Sequence, residues 1–133
     1  IILLEPTSPL REAKDINSSI KKIKKVKGQS LISVSRCKAS HAKFQFRKKN
    51  FFIKLIINKN SLSKARQELD ERFYIDGSIY LSRVDHIVKK RSFYSDKTVF
   101  FEMPKWKSIE IDDKLDFIIA EFLKKNANLL KKI

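Results

Sequence analysis

The chain has 133 residues, 42% hydrophobic and 34% charged, with a formal net charge of +15. That length suits one domain with a single core, and that composition excludes wholesale disorder. No apolar run approaches the roughly 20 residues of a membrane-spanning helix. The opening IILL lacks the basic leader of a secretory signal, and the single Cys37 cannot form an internal disulfide. A reducing, cytoplasmic setting is therefore expected. Because Ile1 is not an initiator methionine and starts a strand-like run, the chain reads as the C-terminal portion of a longer protein.

The charge is spread along the chain. Lys21, Lys22, Lys24, Lys25 and Lys27 form one basic run, Arg47, Lys48 and Lys49 a second, and Lys124, Lys125, Lys131 and Lys132 lie near the end. Most occupy polar sides of amphipathic segments, so a solvated surface is expected ahead of a nucleic-acid site.

In chain order, Ile1–Leu4 is a continuous apolar run and reads as a strand buried on both faces of a parallel sheet. Pro6 and Pro9 hold a loop after it. Ala13, Ile16, Ile20 and Ile23 recur at helical spacing, and Gly28 is a natural stop. Leu31–Val34 is the next strand, which predicts a βαβ unit with the two strands parallel. Phe44 and Phe46 alternate with polar residues, then a basic turn at Lys48–Asn50 leads into Phe51–Ile57, the pattern of a hairpin. Ser61–Arg72 suggests a short helix. Tyr74–Leu81 reads as a strand interrupted by Gly77, where backbone or ligand approaches closely. Val84–Lys89 suggests a helix with His86 on its polar face. Thr98–Met103 and Ser108–Ile111 read as strands. Asp113 then caps a last helix with Leu115, Ile118, Ile119, Phe122 and Leu123 facing inward. The fold class is α/β.

Three segments carry chemistry: LLEPTSPLR at 3–11, DGSIY at 76–80 and SIEIDDKLDF at 108–117. On an extended segment, Glu110 and Asp112 leave from the same face, and two adjacent carboxylates favour a shared cation. Oxygen ligands of that kind suit Mg²⁺.

In that order, together with SVSRCKASH, FFEMPKWKSIEIDDKLDF and AEF, these segments resemble the acylneuraminate cytidylyltransferases, the CMP-sialic acid synthetase family, over residues 1 to about 125. The resemblance implies a partial Rossmann-like nucleotidyltransferase, with a mostly parallel sheet, flanking helices and a protruding β-hairpin over 42–74 used for dimerisation and to complete the partner's sugar site. It implies CTP and an acidic nine-carbon keto sugar as substrates, with CMP transferred and pyrophosphate released. Glu110 and Asp112 correspond to the family's Mg²⁺-holding, catalytic acids, although aspartate is usual at the first position. Glu5, where glutamine is common, lies on the substrate side. Thr7 and Ser8 offer hydroxyls to the sugar or to loop hydrogen bonds, and Arg11 is a candidate partner of a substrate anion, with packing at the helix start expected ahead of that role. Asp76 and Gly77 stand where the family has Asn-Gly, and Arg66 precedes them as a candidate for the sugar carboxylate. Phe93 and Tyr94 either close over the site or fill core. The family's N-terminal loop for the CTP phosphates is not in this chain, so the chain is expected to be inactive alone. The resemblance further implies surface-glycan synthesis, in lipopolysaccharide or capsule, and a homodimer. The alternatives are a basic nucleic-acid-binding module using Phe44, Phe46, Phe51 and Phe52, and a divergent non-catalytic paralogue, for which the carboxylates at 5, 76 and 110 are the argument.

Overall fold

In the computed structural model, residues 1–37, 46–49, 52–55 and 71–132 are described. Of the helix expected over Ser61–Arg72 only Glu71 and Arg72 are among them, outside any helix, and Arg66 lies outside them. The chain divides into two compact units, one of Ile1–Ser35 with Ile75–Ile133, the other of Arg36–Tyr74.

The larger unit is built on a four-stranded sheet in the order β1-β5-β2-β6, where β1 is Ile2–Leu3, β2 Ser30–Arg36, β5 Phe73–Ser82 and β6 Thr98–Glu102. β5 runs between β1 and β2, so the two strands of the expected βαβ unit are not neighbours. β5 pairs antiparallel with β1, Ile2 opposite Leu81 and Leu3 opposite Tyr80. It also runs antiparallel to β2, the Arg83 amide donating to Gln29 O at 3.0 Å and the Cys37 amide to Arg72 O at 2.7 Å; β1 and β2 are therefore parallel, as expected. β2 and β6 are parallel, Ser30 opposite Thr98 through Val34 opposite Glu102. The sheet is mixed rather than mostly parallel, and helices accompany it: α1 (Ala13–Lys25), α2 (Val84–Lys90), α3 (Lys114–Lys125) and the short α4 (Ala127–Leu130). Among the described residues β1 is an edge strand, so Ile1, Ile2 and Leu3 are exposed instead of buried on both faces.

Leu31, Ile79, Leu81 and Met103 form the core, with Leu4, Ile16, Ile20, Ile23, Val99 and Phe101 packed against it. Of the α1 stripe read from periodicity, Ile16, Ile20 and Ile23 pack partly buried against this core, each contributing part of the about 1.5–3 kcal/mol of a fully buried side chain, while Ala13 is exposed. The helix ends differently from expectation. Lys27, not glycine, takes the left-handed position (φ 53°). The Lys27 amide donates to Lys24 O at 3.2 Å and the Gly28 amide to Ile23 O at 3.0 Å, a Schellman closure. Gly28 is required one residue later for space, because a Cβ there would sit 2.4 Å from Val99 Cγ2.

Two further expectations are overturned. Residues 108–111 form no strand; a 3₁₀ turn at Lys105–Lys107 precedes an irregular stretch that reaches α3. The Ile111 amide donates to Thr7 O at 2.8 Å, so this stretch joins the proline loop rather than the sheet. In α3, Asp113 caps as expected: its Oδ1 accepts from the amides of Leu115 (2.7 Å) and Asp116 (3.0 Å). The helix nevertheless seats itself through small, buried Ala120, leaving Leu115, Ile118 and Phe122 at 63%, 53% and 64% exposure. Periodicity marks an apolar stripe without saying which neighbour meets it. No helix among the described residues is long and apolar enough to cross a membrane.

In the smaller unit, β3 (Phe46–Lys49) and β4 (Phe52–Leu55) pair antiparallel, Phe46 opposite Leu55 and Lys49 opposite Phe52. This is the hairpin read from the alternation.

Candidate active site

The proline loop is stiff for reasons beyond its prolines. Arg11 Nη1 donates to Glu5 O at 2.6 Å and to Ser8 O at 2.8 Å, closing the loop over its own backbone. Arg11 thus holds the loop's carbonyls, the structural role, and burial lowers its pKa while Glu5 opposes the shift. Thr7 is half-buried, and its carbonyl ties the loop to Ile111. Ser8 is fully buried and its hydroxyl donates to Asp76 O at 3.4 Å.

Opposite the loop, β5 carries Asp76 and Gly77. Asp76 is 1% exposed. Its Oδ1 accepts from the Ser33 hydroxyl and from the Ser78 amide at 3.1 Å, and its Oδ2 from the Ser108 hydroxyl at 3.3 Å. Ser33 Oγ in turn accepts from the Ile79 amide at 2.8 Å. The Asp76 carboxylate is thereby a node that joins β2, β5 and the 108–113 stretch. Burying a carboxylate is tolerable only with such partners.

Gly77 has φ +69°, a conformation costly for residues with a Cβ. A Cβ at this position would lie 3.1 Å from Glu110 Oε1, 3.3 Å from Glu5 Oε2 and 3.3 Å from Ser8 Oγ. Glu5, Ser8 and Glu110, from the proline loop and from the 108–113 stretch, thus converge where β5 lacks a side chain. Glu110 is half-buried and Asp112 exposed, the Asp112 amide being donated to Asp116 Oδ2 at 3.1 Å.

The electrostatics are those of crowded like charges. Burial raises the Glu110 pKa, and Asp112, Glu5 and Asp76 push it further. The donor set is all oxygen, as Mg²⁺ requires, and among the described residues no three His, Cys, Asp or Glu side chains gather closely enough to enclose a metal. The protein would then supply one or two carboxylates, the usual arrangement when Mg²⁺ is also held by phosphates. The residues fit that use.

Tyr80 was not singled out from sequence beyond its place in DGSIY. Its hydroxyl pKa is raised by burial, then by Glu5, Tyr94, Glu110 and Asp76, so the phenol stays a donor beside the carboxylates. Its ring meets Phe93 at 5.7 Å between centroids, while Tyr94 is exposed. His86, expected on a polar face, is buried, and its Nε2 lies 3.2 Å from Tyr94 O, tying α2 to this loop.

Lys107 was also missed. It is 1% exposed, and its Nζ donates to Glu12 Oε2 at 2.8 Å and Asp15 Oδ2 at 2.6 Å. The anchor fixes the turn from which Ser108 and Glu110 reach Asp76 and Glu5. The only signal was a lysine in an otherwise apolar and aromatic stretch, PKWKSI.

No protein-family model matches the chain. It is 29% identical to the CMP-N,N'-diacetyllegionaminic acid synthase of Legionella pneumophila, over 92% of this chain and 53% of that protein. It is 25% identical to the N-acylneuraminate cytidylyltransferase of Escherichia coli O18:K1:H7 (97% of this chain, 30% of the relative) and 25% to that of Streptococcus agalactiae serotype III (88% and 28%). The chain spans about half the length of the Legionella relative and under a third of the other two. Over most of its length, this chain is similar to proteins named N-acylneuraminate cytidylyltransferase and CMP-N,N'-diacetyllegionaminic acid synthase.

Proposed function

We propose that the chain forms the sugar side and the metal-holding acids of a cytidylyltransferase that transfers CMP from CTP to a sialic-acid-like nine-carbon keto sugar. The observation that carries this reading is the convergence of Glu5, Ser8 and Glu110 on the bare backbone of Gly77, in a chain similar to named cytidylyltransferases.

In the reaction, the anomeric oxygen of the sugar bonds to the α-phosphorus of CTP as the bond to the β-phosphate oxygen breaks. The sugar hydroxyl gives its proton to solvent water, and the electron pair of the broken bond leaves with pyrophosphate. Such transfers depend on positioning and charge neutralisation more than on covalent help. Glu110 and Asp112 are the proposed holders of Mg²⁺, which when bound neutralises phosphate charge and orients the attack. Gly77 lets the sugar approach the β5 backbone, while the Arg11-closed loop presents Thr7 and Glu5. Asp76 acts from beneath, holding Gly77 and the 108–113 stretch in register. Tyr80 donates toward the acids and, with Phe93, bounds an apolar side for a sugar substituent. Arg66 remains the proposed partner of the sugar carboxylate. The reading includes a homodimer through 42–74.

The test is pyrophosphate release from CTP with a panel of acidic keto sugars, using the protein as it occurs in the cell and, in parallel, the 133-residue chain. Turnover by the former with Mg²⁺ dependence, and none by the latter, is expected. Mg²⁺-dependent turnover that survives Asp112→Asn overturns the metal assignment.

A further inference from the structure

A second concavity opens on the larger unit, away from Gly77. It has a volume of about 780 Å³ and lies among α1, the 3₁₀ turn, α3 and α4, within the range of roughly 300–1,000 Å³ typical of small-molecule sites. Its apolar wall includes Trp106, Leu123 and Leu130, and every ionisable side chain that lines it is a lysine: Lys14, Lys105, Lys107 and Lys131.

Three of these lysines are held by carboxylates. Glu12 meets Lys14 at 3.1 Å, Lys107 at 2.8 Å and Lys131 at 2.7 Å, and Asp15 meets Lys107 at 2.6 Å. The Lys107 ammonium also sits 5.3 Å from the centre of the Trp106 ring. An ammonium has three donors, so Lys14 and Lys131 each keep donors after meeting one carboxylate. Four lysines against two carboxylates leave the cavity with an uncompensated positive charge. Side chains already ordered by Glu12 lose little further freedom when a ligand arrives.

We propose that this cavity binds a small planar anion, its aromatic body against Trp106, Leu123 and Leu130 and its phosphate or sulfonate on Lys14, Lys105 and Lys131. The nucleoside monophosphates have this chemistry. The site shares no residue with the proposed active site and does not rest on that reading.

Trp106 is the only tryptophan of the 133 residues, and the emission of the intact protein that is lost in Trp106→Phe reports on this cavity. The intact protein is titrated with 8-anilinonaphthalene-1-sulfonate and, separately, with N-phenyl-1-naphthylamine, the same body without the sulfonate. Saturable quenching of Trp106 by the sulfonate, with at least tenfold weaker binding of the neutral compound, is expected. Lys105→Glu, an exposed position, should weaken the sulfonate at least fivefold with an unchanged circular dichroism spectrum. Leu123→Ala should weaken both compounds. Adenosine 5′-monophosphate at millimolar concentration should displace the sulfonate, whereas decanoate should not. Equal affinity for the two compounds, indifference to Lys105→Glu, or displacement by decanoate alone would each overturn the proposal.

Discussion

Two acid-bearing regions of the larger unit meet in the segment 104–112, and they are built on opposite electrostatic plans. Around Lys107, Glu12 and Asp15 are matched by cations at 2.6–2.8 Å, with Lys131 and Lys14 adding to Glu12. A few residues later, Glu110 faces Glu5, Asp76 and Asp112, and its pKa is raised by burial and by their charge. The first region satisfies itself and acts as an anchor. The second is left short of positive charge, which is a cost to folding and an opportunity for a bound cation. A protein that places the two back to back uses the stable one to hold the unstable one in shape.

The comparison breaks hardest at Lys107. Lys107→Met should cost about 3–5 kcal/mol, because two carboxylates lose a buried partner; urea unfolding checks it. A loss below ~1 kcal/mol would mean the anchor carries no weight. Asp76→Ala comes next, at about 2–3 kcal/mol, since buried donors of Ser33, Ser78 and Ser108 lose their acceptor. Gly77→Ala follows, at about 1–2 kcal/mol for a Cβ at positive φ, and it should lower turnover more than stability by crowding Glu110 and Glu5.

The anchor also has a pH signature. Hydrogen bonds from Lys107, then Lys131 and Lys14, hold the Glu12 carboxyl well below its ordinary value of 4.5. A depressed carboxyl contributes stability that is complete above that ordinary value and is lost as pH falls toward the folded one. Wild type should therefore lose stability more steeply than Glu12→Gln between about pH 5 and about pH 3 in urea titrations. The smallest effect has the opposite sign. Glu110→Gln relieves like-charge crowding and should raise stability at neutral pH by about 0.5 kcal/mol. Thermal melts should also show a Mg²⁺-dependent upward shift in wild type that this variant lacks.

Local signals were legible where the cause is local. The α1 stripe, the Asp113 cap and the β3–β4 hairpin depend on neighbours within a few positions, and each formed as its residues indicated. The three motifs marked Glu5, Asp76, Gly77 and Glu110 as a set, yet the strand geometry assumed for Glu110 and Asp112 was wrong. An irregular stretch tied to Thr7 brings Glu110 in and leaves Asp112 at the surface. Asp76, read as a group facing substrate, is buried with both carboxylate oxygens accepting from the fold, while Arg11 Nη1 holds the carbonyls of Glu5 and Ser8 near the start of α1, the packing role expected ahead of a substrate contact.

By itself, the amino-acid order determined which segments curl or extend and which side chains bear charge, because those follow from short-range sterics and spacing. Only tertiary structure decided that β5 enters between β1 and β2, that Lys107 is buried, and that Leu115, Ile118 and Phe122 face outward. Burial and pairing are properties of contacts between distant segments, and no spacing rule along the chain encodes which distant surface a given face will meet.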